Sequence, residues 1–252
     1  MLSIDLNCDM GESTHLWHYS IEKDLELLNH ISSVNLACGF HAGDASTMHT
    51  LVDACIEKGI AIGAHPGFPD REDFGRREMT LTPTAIYDLM IYQIGALQAF
   101  LTINGAILHH VKPHGALYNM AAVDGVVADA IVNAVYDFNP NIALYGLAGG
   151  ELVKEGERKG LRVVNEVFSD RTYTPVGTLT PRSQPNASIK EPNDAIKQVM
   201  QMLTKGTVVA TDGSIVPIKA ETVCIHADGA NAISFAREIR QTLLENNITI
   251  KP

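Results

Sequence analysis

Short apolar, β-branched runs alternate with helical patterns along the whole chain. Strands are predicted over residues 2–7, 33–37, 60–64, 107–112, 142–146, 161–166 and 223–226. Helices are predicted over residues 21–30, 45–58, 83–103, 124–137, 150–159 and 231–246. Asp44 is a suitable N-cap for the second helix, and Gly59 lies just past its end.

This alternation is typical of an α/β protein with a parallel sheet. About seven strand–helix units within 252 residues favour a closed barrel over an open sheet. We therefore predict an irregular, TIM-like (β/α) barrel with seven strands. No linker rich in Gly, Ser or Pro divides the sequence, so residues 1–252 are predicted to form a single domain.

One long segment, residues 168–192, has neither a strand nor a helix pattern. It contains four prolines together with Asp170, Arg171 and Arg182. Irregular segments longer than ~12–15 residues are usually lids, binding loops or disordered. We predict that this segment forms a lid or a surface for a partner.

The charge balance argues against two classes of partner. The chain has 29 acidic residues against 19 Lys and Arg, a net charge of −10, whereas nucleic acids and anionic membranes bind basic surfaces. No continuous apolar run approaches the ~20 residues of a bilayer span, and no secretory signal is visible. The four cysteines form no CxxC pair and are typical of reduced thiols, so a cytoplasmic location is expected.

Polar and ionisable side chains collect where the predicted strands end. In a parallel barrel these carboxyl ends form one face, and catalytic residues lie there. Because side chains alternate along a strand, Asp5, Asn7 and Asp9 share one face of their strand. The catalytic candidates are Asp9, His65, His110, Lys112 and Glu166. The candidates for substrate binding are Asn7, Glu12, Asn35, His41, His114, Asp170, Arg171, Arg182, His226 and Asp228.

Each candidate taken singly also has a structural explanation. A buried His or Asp is usually hydrogen-bonded within the core, and Asp5 is suited to holding neighbouring strands together. Asp44 is explained by its role as a helix cap. As a set, however, the candidates indicate a functional site, because burying this many charges without function would cost stability.

Familiar motifs of nucleotide and metal sites are missing from the sequence. It contains no GxxxxGK[ST] phosphate loop, no GxGxxG and no HExxH. His110 and His114 have H-x3-H spacing, but Lys112 lies between them, and a cation is an unfavourable neighbour for a metal ion. We therefore predict no metal in this chain, with a metal-dependent enzyme as the alternative.

Seven segments carry a resemblance to one protein family. They are DLNCDMGE at 5–12, NLACGFHAGD at 35–44, GAHPGFPD at 63–70, FGRR at 74–77, HVKPHGALYN at 110–119, GLAG at 146–149 and EVFSDR at 166–171. With these segments, in this order, the chain resembles the LamB/YcsF family nearly end to end. Ala227 departs from the family pattern, where glycine is expected, and Ser13-Thr14 replaces a glycine-rich turn.

The resemblance implies a barrel of the glycoside hydrolase/deacetylase type. It also implies ATP-dependent hydrolysis of 5-oxo-L-proline to L-glutamate, together with B and C subunits as partners. Because the chain lacks a phosphate loop, we expect ATP to be a co-substrate that is handled with the partners. The alternatives are a metal-dependent deacetylase acting on an acylated sugar and a non-catalytic binding or regulatory barrel.

The chemical hypothesis is that ATP activates the lactam by phosphorylation on the partner subunits. This chain would then add water, which requires a base and cations that hold developing negative charge. Asp9 is the predicted base, with His65 or His110 as alternatives. The residues predicted to hold anionic groups or to orient the ring are Lys112, Arg171, Asn7, Asn35 and His114.

Overall fold

A closed barrel of parallel strands forms the centre of the protein. The computed structural model describes residues 2–16, 20–225 and 232–252. The strands are β1 (Ser3–Met10), β2 (Ser33–Ala37), β3 (Ala61–His65), β4 (His110–Val111), β5 (Ala143–Leu147), β6 (Val163–Phe168), β7 (Thr207–Val209), β8 (Ile215–Pro217), β9 (Thr222–Ile225) and β10 (Thr249–Ile250). Strands β1 to β6 pair in sequence order, and β9 pairs with both β6 and β1 and so closes the ring. The predicted seven-stranded (β/α) barrel is confirmed.

Helices surround the barrel. They are α1 (Ile21–Leu27), α2 (Ala45–Lys58), α3 (Pro83–Ile103), α4 (Gly115–Ala121), α5 (Gly125–Phe138), α6 (Glu151–Lys159), α7 (Pro192–Lys205) and α8 (Ala232–Glu245). The predicted start of α2 is confirmed, because the side chain of Asp44 accepts a hydrogen bond of 2.8 Å from the Thr47 N–H. Gly59 ends this helix in the left-handed conformation, with φ of 66°.

A buried, hydrogen-bonded carboxylate lies inside the barrel. The buried carboxylate of Asp5 accepts hydrogen bonds of 2.6–3.0 Å from the hydroxyls of Ser32, Ser33, Tyr145 and Thr222. These donors belong to β2, β5 and β9 and to the residue before β2, so one carboxylate ties several strands together. The structural role considered for Asp5 agrees with these contacts.

Several elements differ from the sequence prediction, among them β4, α4, α7 and the short strand β10. Strand β4 is two residues long, whereas residues 107–112 were predicted, and helix α4 follows it after a break at Pro113. Helix α7 was also not predicted, although Pro192 at its first turn and the buried stripe Ala195, Val199 and Met202 are helix signals. The preceding segment is irregular as predicted, with isolated bridges such as Arg171 to Ser188.

Helix α3 is the most apolar long helix among residues 2–16, 20–225 and 232–252. By length and composition it could cross a membrane, with mean hydropathy of 1.3 over its best window. Helices α4 and α5, taken together as one span bent by 111°, also have the length and hydropathy of a membrane span. One face of α3, with Ile86, Met90, Ile94 and Leu97, is buried in the core. A buried core helix can have the same length and hydropathy, so these two properties alone do not make α3 a membrane span.

Candidate functional site

A cavity of about 530 Å³ opens at the carboxyl ends of the barrel strands. Seven of the sequence-predicted residues line it: Asp9, Glu12, His65, Lys112, His114, Arg171 and Arg182. The cavity therefore has a floor of carboxylates and histidines, and a wall from the irregular segment that follows β6.

Lys112 lies at the centre of the floor. Its Nζ is 2.9 Å from Oδ1 of Asp9, 2.8 Å from Oε1 of Glu166 and 3.2 Å from Oδ1 of Asn7, and it also contacts Cys224. Burial opposes the lysine charge, but Asp9, Cys224 and Glu166 outweigh it, and the pKa of Lys112 is raised well above its usual value. The ammonium hydrogens are thus used within the protein. These contacts let Lys112 position Asp9, and because Lys112 also lines the cavity, its contact with substrate stays a prediction.

Two buried amides orient these carboxylates from below. The Asn35 amide nitrogen donates to Oδ1 of both Asn7 and Asp9, each at 2.7 Å. The Asn7 nitrogen donates to Glu166 at 2.9 Å and to Thr222 at 2.7 Å. Neither amide lines the cavity, because both lie one layer deeper in the barrel. In this structure the two amides support the carboxylates, their role as substrate ligands stays a prediction, and Glu166, also fully buried, lies in the same layer.

His110 is held beneath the cavity. Its Nε2 lies 2.7 Å from Oδ1 of Asn35, its Nδ1 lies 3.1 Å from Nδ1 of His109, and its ring stacks on Tyr145. Burial lowers its pKa well below the usual value. With both ring nitrogens engaged and no contact with the cavity, His110 is poorly placed as a base.

The close fit of His110 requires a glycine on the neighbouring strand. A Cβ built on Gly63 would lie 2.1 Å from Nε2 of His110. The glycine in the segment GAHPGFPD thus makes room for the histidine ring.

Asp9 and His65 are the two candidate bases at the cavity. Lys112 and Asn35 hold Oδ1 of Asp9, while Oδ2 lies 3.4 Å from Nε2 of His65. Nδ1 of His65 lies 2.8 Å from the carbonyl oxygen of Lys112 and donates to it. Because Oδ1 of Asp9 is held by two donors, the carboxylate has a fixed orientation at the cavity wall.

A second group of titratable side chains adjoins Asp9. We call Glu12, His41, His65 and His114 the histidine cluster. One ligand atom from each lies within 4.8 Å of the others. Burial lowers the pKa of His41 to about 3 and also lowers that of His114. Burial raises the pKa of Glu12, but His114 and His41 outweigh it and the net shift is downward. The cluster has a donor set that a metal ion could use, so the predicted absence of a metal stays an open expectation.

The irregular segment brings two arginines to the cavity with different roles. Arg171 is buried, and its guanidinium donates to the carbonyl oxygens of Ala187, at 3.1 Å, and Thr180, at 2.6 Å. Burial, and then the charge of Arg182, lower the pKa of Arg171 to about 10. Arg171 therefore holds the segment in shape, whereas Arg182 is exposed at the cavity wall. Asp170 is half-buried and does not line the cavity.

Other cavity residues were not predicted, and two predictions lie outside the described residues. Arg76, Tyr118 and Asn119 line the cavity and lie within the segments FGRR and HVKPHGALYN, which carried the family resemblance. That resemblance was the available signal, because none of the three lies at a strand end. His226 and Asp228 fall within residues 226–231, which are not described.

The fold and the site together define a class of protein. It is a seven-stranded parallel (β/α) barrel with a carboxylate–histidine–lysine site at the carboxyl ends of its strands. The model of the LamB/YcsF family matches residues 4–252, and the chain belongs to this family.

Curated relatives match over nearly their full length. The chain is 53% identical over 250 residues to a Brevibacillus brevis protein named as the A subunit of 5-oxoprolinase, covering 99% of this chain and 98% of that protein. It is also 53% identical to the Bacillus subtilis protein of the same name, covering 99% and 96%.

Solved structures agree with the barrel. The lactam utilization protein from Thermus thermophilus matches with a TM-score of 0.90 and 43% identity, covering 99% of each chain. The catalytic domain of a peptidoglycan N-acetylglucosamine deacetylase from Eubacterium rectale matches with a TM-score of 0.52 and 12% identity, covering 99% of this chain and 87% of that one. The second likeness shows the fold alone.

Proposed function

We propose that this chain works as the A subunit of an ATP-dependent 5-oxoprolinase, which opens the lactam of 5-oxo-L-proline to L-glutamate. ATP is the co-substrate, and the partners are the B and C subunits. Relatives about half identical over the full length carry this name. The structural observation that carries the proposal is the orientation of Asp9 by Lys112 and Asn35 at the cavity wall.

The reaction needs activation because amide resonance makes a lactam carbonyl a poor electrophile. The γ-phosphoryl group of ATP is transferred to the lactam oxygen, and ADP leaves. Water then attacks the ring carbonyl carbon and gives up a proton, the carbon–nitrogen bond breaks, and the nitrogen takes a proton. A second water hydrolyses the resulting acyl phosphate to glutamate and phosphate. The steps on this chain need a base and a cation near the reacting carbon.

Asp9 is the base that fits this scheme. It takes the proton of the attacking water and returns one to the leaving nitrogen. His65 is the alternative, because it also lines the cavity. Arg182 is an exposed cation at the cavity wall, and it pairs with the substrate carboxylate or the transferred phosphate.

The cellular location and the kind of substrate are also part of this proposal. We place the protein in the cytoplasm, where thiols stay reduced, because all four cysteines are buried and unpaired. A small-molecule substrate fits a cavity of about 530 Å³, and a net charge of −10 disfavours nucleic acid.

Deacetylation of an acylated sugar is the alternative activity. Likeness to deacetylase structures supports the shared fold alone at 12% identity. Release of acetate from an N-acetylated sugar by the purified chain, with no glutamate formed from 5-oxoproline by the complex, would favour this alternative.

Reconstitution tests the proposal. Glutamate and ADP are measured with 5-oxoproline and ATP for this chain alone, for the B and C subunits alone, and for all three. We expect glutamate only from the complete set, and neither product from this chain alone, which lacks a phosphate loop. ATP-dependent glutamate from this chain alone would contradict the partner requirement, and an unchanged rate without it would contradict its role.

A further inference from the structure

We propose that Glu12, His65 and His114 bind one divalent transition-metal ion, with His41 held against Glu12. Two imidazoles and one carboxylate fit Zn²⁺ best, because this ion takes nitrogen and oxygen ligands and its catalytic sites use three protein ligands with a fourth position open. The inference goes beyond the proposed function and does not rest on it.

The hydrogen bonds of two histidines leave their facing nitrogens without protons. Nδ1 of His65 lies 2.8 Å from the carbonyl oxygen of Lys112, and Nε2 of His114 lies 2.8 Å from that of Phe74. A carbonyl oxygen only accepts, so both of these ring nitrogens carry the hydrogen. In the neutral rings, Nε2 of His65 and Nδ1 of His114 are therefore both lone-pair atoms. They nevertheless lie 2.9 Å from each other.

Glu12 adds a third acceptor at the same point. Its Oε1 lies 3.0 Å from Nδ1 of His114 and 3.6 Å from Nε2 of His65. With both rings neutral, three lone-pair atoms thus meet with no hydrogen between them. Such an arrangement is repulsive unless a cation lies among them, and metal ligands characteristically donate their other ring N–H to a backbone carbonyl.

His41 supports the set through Glu12 and is not itself a ligand. Its Nε2 lies 3.0 Å from the same Oε1 of Glu12, and its ring stacks on His114 with centroids 3.7 Å apart and planes within 4° of parallel. His41 is fully buried, and Gly67 packs against it so closely that a Cβ there would lie 2.7 Å from Nδ1. Because a metal ion lies near the plane of each imidazole that binds it, one ion cannot take both of these parallel rings, and His41 orients Glu12 instead.

The dimensions suit a small tetrahedral ion. With metal–ligand distances near 2.0–2.1 Å, neighbouring ligand atoms of a tetrahedral site lie about 3.3 Å apart. The three contacts among the ligand atoms of Glu12, His65 and His114 are 2.9, 3.0 and 3.6 Å. Small movements of the side chains would bring these contacts to the tetrahedral value.

Lys112 does not oppose a metal here, contrary to the expectation from its position between His110 and His114. Its ammonium group points to Asp9 and Glu166, and only its carbonyl oxygen touches the cluster, through His65. The H-x3-H pair itself is not the ligand set, because His110 bonds to Asn35. The histidines that converge come from the ends of β2 and β3 and from the turn after β4.

A proton shared by His65 and His114 would also relieve the repulsion, so the experiment must separate a metal from a proton. Untagged, chelator-treated protein is titrated with Zn²⁺ in competition with a chromophoric chelator, and bound metal is counted by elemental analysis. We expect one equivalent per chain for the wild type. A folded wild-type chain that takes up no Zn²⁺ would overturn the proposal in favour of the proton.

Variants locate the ion. Glu12→Gln and His114→Asn are each expected to weaken Zn²⁺ binding by at least ~100-fold, since each removes a ligand. His49→Ala, at an exposed histidine outside the cluster, is the matched control and should bind like the wild type. Equal binding by all variants would overturn the assignment. Should the cluster variants fail to fold, Co²⁺ in the wild type decides. Intense visible absorption of four-coordinate Co²⁺ supports the site, and the weak absorption of six-coordinate Co²⁺ contradicts it.

Discussion

Nζ of Lys112 donates a hydrogen bond of 2.9 Å to Oδ1 of Asp9, with side chains only 2% and 10% exposed. Glu166, fully buried, lies 2.8 Å from the same nitrogen. One lysine therefore pairs with two carboxylates, Asp9 at the cavity wall and Glu166 beneath it. This pairing fixes the orientation of Asp9, so the stability of the barrel is linked to the residue proposed as the base.

Removing the ammonium group should destabilise the protein. Lys112→Met leaves two buried carboxylates without their cation, and we expect a loss of about 3–5 kcal/mol in the free energy of unfolding, measured with urea. The control is Lys154→Met, which breaks an exposed pair with Glu151 and should cost less than about 1 kcal/mol. Equal stabilities of the two variants would contradict the role given to Lys112.

A methyl group at Gly63 should displace His110. The added Cβ would lie 2.1 Å from Nε2 of the ring, so Gly63→Ala is expected to cost about 1–3 kcal/mol or more in urea unfolding. Gly95→Ala is a matched control, because Gly95 lies within α3 with open space around it, and alanine should stabilise by up to about 1 kcal/mol there. A neutral Gly63→Ala would show that the ring is not confined.

Asp24 should make stability fall as the pH rises. Burial raises its pKa to about 6, so the folded state holds a proton that the unfolded state releases near pH 4. Its contribution is favourable at low pH and is lost between about pH 4 and 6, a cost of as much as about 3 kcal/mol at neutral pH.

Asp24→Asn removes this titration. Its stability relative to the wild type should grow from pH 4 to pH 6 in urea unfolding, and then level off. Oδ2 of Asp24 accepts a hydrogen bond from the Gly11 N–H at 2.9 Å, which an asparagine oxygen can also do. Asp88→Asn, on the exposed part of α3, controls for the loss of a charge. A difference that does not change with pH would contradict the raised pKa.

Arg182 should contribute to substrate affinity. It is exposed at the cavity wall, where a cation pairs with the substrate carboxylate or with phosphate. In the reconstituted complex, Arg182→Met is expected to raise KM about 10-fold with a smaller change in kcat, as expected for lost binding energy of about 1.4 kcal/mol. Arg158→Met, at an exposed helix position, is the control. An unchanged KM would remove Arg182 from the site.

Much of the fold follows from local patterns. Most barrel strands carry apolar side chains at alternate or successive positions, and helices such as α2 have clear start and end signals, so the alternation was predictable. The exceptions have physical causes. Strand β4 pairs through only two residues before Pro113 turns the chain, and the start of α7 at Pro192 followed a proline-rich segment that suggested continued loop.

The strand ends that form the site were predictable from the sequence, but how deep each side chain lies in the barrel was not. Alternation correctly placed Asn7 and Asp9 on one face, yet the closure of the barrel decides that Asp9 reaches the cavity while Asn7 lies beneath it. The roles of Arg171 and Arg182 depend on an irregular segment that has no periodicity to read. The convergence of His41, His65 and His114 depends on tertiary contacts between separate strand ends.

The rate of glutamate release by the reconstituted complex, with Asp9→Asn in place of the wild-type chain, tests the central claim most directly. Asparagine keeps the shape of the side chain and removes the base, so lactam opening should fall by roughly 10²–10⁴ while binding to the partner subunits is unchanged. Near-normal glutamate release by Asp9→Asn would contradict the assignment of Asp9 as the base.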